Sequence, residues 1–108
     1  MKTNRKAEAQ LDALGDPTRR EIFMLLAKAP AAVGDIADAV PVSRPAVSQH
    51  LKILKDAGLL SVRRDGTRNI YSADPAGIAV LHAAVERFWR DALATFKDHA
   101  EQKGKQKL

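Results

Sequence analysis

The 108-residue chain has no cysteine. That excludes a disulfide scaffold, a thiolate metal site, a cysteine nucleophile and a thiol redox switch. Aromatic residues make up only 5% of it, too few for the stacking platform that single-stranded nucleic acid requires. Its six glycines form no glycine-rich phosphate loop. No long hydrophobic run occurs. The longest stretch poor in charge, Ala29 to Val40, still contains Asp35 and Asp38 and is too short to span a bilayer. Met1 to Gln10 is charged and lacks the apolar centre of a signal peptide. These absences predict a soluble, cytoplasmic protein. A hydrolytic centre is missing as well. Ser48 and His50 lie two apart on a predicted helix, roughly 200° around it, and cannot face each other. The chain does not read as an enzyme and calls for no cofactor.

What is present is a globular composition, 45% hydrophobic and 29% charged. The length suits one domain, expected over residues 1–102, with a disordered basic tail at 103–108. Eighteen Lys and Arg stand against thirteen Asp and Glu, giving a net charge of +5. A basic balance favours a polyanionic partner.

Periodicity places the elements. Ala7, Leu11 and Leu14 are spaced for a short helix from Lys6 to Gly15. Asp16-Pro17 pairs a cap with a residue suited to the first helical position. Ile22, Leu25, Leu26 and Ala29 then form one apolar face, and Pro30 stops that helix. Val33 to Val40 predicts a third, short helix. After the break at Pro41-Val42, Ser43 can cap a fourth, in which Val47, Leu51, Leu54 and Ala57 recur at helical spacing. Gly58 ends it in the left-handed conformation. The period then switches to two. Leu60 to Arg64 and Thr67 to Ser72 predict strands, and Asp65-Gly66 predicts a type I′ hairpin turn between them. Asp74-Pro75 repeats the cap-plus-proline device and opens a last helix reaching about Glu101. The fold class is mainly α with a small β-hairpin: five helices and a two-stranded wing.

The third and fourth helices read as a helix-turn-helix whose second member, Ser43 to Ala57, would lie in a major groove. Its residues sort by rotation. Val47, Leu51 and Leu54 should pack. Arg44, Ser48, Gln49 and Lys52 can project outward. Arg suits guanine O6 and N7, Gln suits adenine N6 and N7, and Ser is tolerant; Lys52 suits phosphate. The hairpin adds Arg63, Arg64 and Arg68, placed to meet a phosphate backbone or a minor groove. Between Ser43 and Ser72 six basic residues face two acidic ones, so most of the chain's positive charge sits in about a quarter of its length. The expected DNA-binding set is Ser43, Arg44, Val47, Ser48, Gln49, Lys52, Arg63, Arg64 and Arg68, Val47 being counted both here and among the packing residues.

These segments resemble the ArsR/SmtB family of bacterial winged-helix repressors. Ala13 to Arg20 is similar to that family's opening, Val42 to Leu54 to its reading-helix pattern, and Ala57 to Leu60 with Gly66 to Tyr71 to the run into and out of its wing. The similarity covers about residues 10–100. It implies a sequence-specific, autoregulatory repressor of double-stranded DNA, acting as a homodimer on an imperfect palindrome through its first and last helices. The sequence supports a dimer independently, because Phe88, Trp89, Leu93 and Phe96 make an apolar girdle wide for so small a domain. The expected interface is Leu11, Leu14, Leu81, Val85, Phe88, Trp89 and Phe96.

Many members of that family sense metals, and here the pattern fails. The stretch that would carry a Cys-x-Cys pair, Val33 to Asp38, has no thiol. No metal ligand is assigned. His82 and Glu86, one turn apart, with His99, are what remains for a metal-responsive alternative; the plain reading is a solvated helix face. A second alternative is a winged helix that binds protein rather than DNA. The inducing signal has no signature in the sequence.

Overall fold

A computed structural model describes residues 4–106. In chain order it contains α1 (Arg5–Ala13), α2 (Pro17–Lys28), β1 (Ala31–Ala32), α3 (Val33–Ala39), α4 (Arg44–Asp56), β2 (Leu60–Asp65), β3 (Arg68–Ala73) and α5 (Pro75–Gln106).

The helix starts are set by local chemistry. Asp16 Oδ2 accepts from the Arg19 backbone N–H at 2.9 Å, and Pro17 fills the first helical position. Ser43 Oγ accepts from the Ala46 N–H at 3.3 Å. Asp74 Oδ1 accepts from the Ala76 N–H at 3.0 Å. Each satisfies a donor that has no partner inside its helix. Gly58, at φ +82°, ends α4 as expected. One face of each central helix meets in a common core around Ile22, Ile36, Val47, Leu51, Leu54 and Leu59, all at most 2% exposed.

Three features differ from the sequence reading. The sheet has a third strand, in the order β1-β3-β2, because Ala31 and Ala32 pair with Tyr71 and Ile70. The hairpin turn sits one residue later than expected. Asp65 pairs with Arg68, so Gly66 and Thr67 are its central residues. Gly66 alone takes a positive φ, +63°, which is the pattern of a type II′ turn; type I′ needs positive φ at both positions. Finally, α5 passes its expected end near Glu101. Residues 103–106, expected in a disordered tail, are helical, and the last two residues of that tail lie outside the described ones.

At 32 residues, α5 is about 48 Å long at 1.5 Å per residue, and the molecule measures 71 × 26 × 21 Å. The base of α5 is fixed by two contacts. Gln10, fully buried on α1, donates from Nε2 to the Gly77 carbonyl at 2.8 Å. A Cβ at Gly77 would stand 1.7 Å from the Gly58 carbonyl oxygen, so α5 can approach the end of α4 only through glycine.

Candidate nucleic-acid interface

The reading helix α4 divides as its period requires. Val47, Leu51 and Leu54 are fully buried. Val47 is thereby corrected: it is a core residue, and no nucleic acid can reach it. Arg44, Pro45, Ser48, Gln49, Lys52 and Lys55 are exposed. Gln49 lies roughly 200° around the helix from Val47, so it stands farthest from the core. Lys52, on the same outer stripe, donates from Nζ to Asp56 Oδ2 at 3.0 Å. Ser43 spends its hydroxyl on the cap while remaining exposed.

His50 points the other way. Its Nδ1 lies 4.0 Å from Asp16 Oδ2, and this buried nitrogen has no hydrogen-bond partner among the described residues. It packs against the start of α2 and does not join the outer stripe. The hydrogen bond from the Arg19 backbone N–H, opposed in part by burial, holds the Asp16 carboxyl below its ordinary range.

The wing arginines are exposed but do not form one cluster. Side chains alternate along a strand. Arg63 stands opposite Ile70 and Arg68 opposite Asp65 on one face; Arg64 stands opposite Asn69 on the other. Arg64 Nε donates to the Gly66 carbonyl at 3.3 Å. Arg68 donates to Asp35 Oδ2 on α3 at 2.9 Å. That bridge spans 33 positions in the chain, and no sequence spacing announced it. A second feature the sequence reading missed is Gly34. A methyl group there would lie 3.6 to 3.8 Å from the Arg44 guanidinium, so Arg44 folds back over the start of α3.

The expected dimer residues fall into two groups. Leu11, Phe88, Trp89 and Phe96 are exposed, at 52, 65, 58 and 70%. Leu11, Phe88 and Phe96, with Ala7, Ala84 and Ala92, line a groove of about 690 Å³ between α1 and α5. Phe88 and Trp89 meet edge to face at 5.9 Å. Leu14 and Leu81 instead pack against the core of their own chain, and Val85 is half-buried.

His82 Nε2 lies 3.5 Å from Glu86 Oε1, both well exposed. Among the described residues no group of three or more His, Asp or Glu is placed to hold a metal ion. No helix among them is long and apolar enough to cross a membrane.

Comparison with known proteins fits this geometry. The profile of bacterial regulatory proteins of the arsR family matches residues 16–62, from the α2 cap into β2. The chain is 47% identical over 104 residues to the HTH-type transcriptional regulator Rv2034 of Mycobacterium tuberculosis, covering 96% of this chain and 97% of the relative. It is 45% identical over 60 residues to the transcriptional repressor SdpR of Bacillus subtilis, covering 56% of this chain and 67% of the relative. The solution structure of the homodimeric winged helix-turn-helix DNA-binding domain of Mb0332 from Mycobacterium bovis superposes with a TM-score of 0.65 at 30% identity. The match covers 84% of this chain and 90% of that one.

Proposed function

The chain belongs to the ArsR family of bacterial regulatory proteins, and on that basis we propose that it represses transcription, its own operon included, by binding an imperfectly palindromic operator as a homodimer. It is a DNA-binding transcriptional regulator and not an enzyme. The observation that carries the mechanism is the outer stripe of α4 standing beside an arginine-bearing wing.

Ser48 and Gln49, on the exposed side of α4, read base edges in the major groove. Both are short enough to reach a base only if the helix lies deep, and phosphate contacts set that depth. Lys52 and the wing arginines supply those contacts, with Ser43 at the helix start. Lys52 and Arg68 already have carboxylate partners, so each exchanges an exposed ion pair, of small value, for a phosphate. A two-fold dimer presents two reading helices about one helical turn of DNA apart, roughly 34 Å. The protein acts in the cytoplasm, where its operator is.

The test is fluorescence anisotropy on the DNA upstream of its own gene, against a scrambled duplex of equal length, with chelator present. Selective binding is expected. Equal binding to both duplexes would remove the autoregulatory reading. Selectivity lost in chelator and restored by zinc would replace this reading with the metal-responsive one.

A further inference from the structure

A cleft of about 190 Å³ lies at the seam between the wing and the start of α3. Gly34, Arg44, Thr67, Arg68 and Asn69 line it. We infer that this cleft holds one backbone phosphate of the bound duplex, and that Arg44 is its principal holder rather than a reader of bases. The inference rests on the DNA-binding reading above and refines it.

Three observations carry it. First, direction: Arg44 lies over the bare Cα of Gly34, which turns its guanidinium toward the wing. Second, charge: two guanidinium groups line the cleft, and one of them, that of Arg68, is neutralised by its ion pair with Asp35 beside it. The excess of one positive charge matches a single phosphodiester. Arg44 supplies that excess, having no hydrogen bond or ion pair among the described residues. Third, chemistry: planar guanidinium donors grip phosphate oxygens in pairs, and Thr67, a further lining residue, carries a hydroxyl that can add a donor. The duplex backbone must also pass this seam if α4 enters a groove while the wing touches the same DNA.

The test uses Arg44→Ala, a surface change that leaves the core intact, and the shortest duplex that the wild-type protein binds selectively. Arg44→Ala is expected to weaken operator and scrambled duplexes by the same factor, about tenfold, and to make the slope of log K against log salt shallower by about one. Duplexes carrying a single neutral methylphosphonate are then scanned. One position should weaken the wild-type protein and leave Arg44→Ala unaffected. Loss of selectivity with an unchanged salt slope would make Arg44 a base reader and overturn the inference. So would a scan in which no position depends on Arg44. Free inorganic phosphate, titrated at constant ionic strength, should not compete. Arg44-dependent competition by it, without a sensitive backbone position, would mean that the cleft takes a free anion instead. If the wild-type protein binds no duplex in a salt-dependent way, the DNA-binding reading itself fails, a result separate from all of these.

Discussion

Individual residues on α4 are legible in the sequence wherever period alone decides their direction. Ser48, Gln49 and Lys52 are exposed because they fall between the apolar positions, and the 3.6-residue repeat is sufficient to say so. Val47, counted both among the packing residues and among the DNA contacts, is decided by the same repeat, which points it into the core. The Arg44 direction and the Arg68–Asp35 bridge were not legible, because both depend on how α3 sits against the wing. The residue-level roles separate by mutation. Gln49→Ala should lose about 1–3 kcal/mol on the operator and almost nothing on a scrambled duplex. Arg68→Ala should weaken both alike and flatten the salt dependence. Anisotropy at several salt concentrations distinguishes them; identical behaviour would end this division of labour. Asp35→Asn frees Arg68 from its ion pair and removes a negative charge beside the cleft, so both duplexes should bind a few-fold tighter. Its melting temperature should hardly move, since an exposed pair contributes about 0–1 kcal/mol.

At the scale of elements, the helices were legible because caps and breakers bound them. Asp16-Pro17, Ser43, Gly58 and Asp74-Pro75 each act where the local chemistry places them. The two-residue strand β1 was not, since Ala31 and Ala32 carry no alternation and become a strand only by pairing with β3. The turn missed by one residue for a related reason: Gly66 can serve a turn as its first or second central residue, and register across the wing decides. The junction of α1, α4 and α5 was equally hidden, as a polar Gln10 gives no sign of burial. Gly77→Ala should cost about 1–3 kcal/mol, because the added methyl meets the backbone of Gly58 and no side chain can yield. Urea unfolding measures it; an unchanged midpoint would show that α5 can shift without loss. The α2 cap also predicts a pH dependence. Asp16 has its carboxyl lowered from 3.8, chiefly by the Arg19 N–H. A lowered folded value means that the cap stabilises fully above the ordinary carboxylate range and loses that contribution as pH falls through the lowered value. Asp16→Asn keeps the acceptor and should flatten this part of the acid-unfolding profile.

For the whole molecule, the governing fact is the length of α5, about 48 Å at 1.5 Å per residue, in a molecule only 26 × 21 Å across its shorter axes. Its base is locked by Gln10 and Gly77, yet Phe88, Trp89, Leu93 and Phe96 remain more than half exposed. So much apolar surface on one helix is costly in water, at about 25 cal/mol per Å². The groove it forms with α1 places Leu11 beside Phe88 and Phe96. We propose that a second copy related by a two-fold axis covers this surface by offering the same apolar helix to the same groove, so that each contact would occur twice. Leu14 and Leu81 are partly buried against the core of their own chain; for Leu81, sequence spacing could not separate it from the outer set, because α5 is apolar on more than one side. Phe88→Glu places a carboxylate in the centre of that surface and should split the dimer in sedimentation velocity at micromolar concentration. Operator affinity should fall with it, because two half-sites are then bound by two independent chains. Affinity for a single half-site should stay unchanged, since Phe88 lies on α5, away from α4 and the wing. A dimer that persists would take Phe88 out of the interface, and a half-site affinity that falls as well would mean that dimerisation shapes the reading helix and does not merely pair two of them.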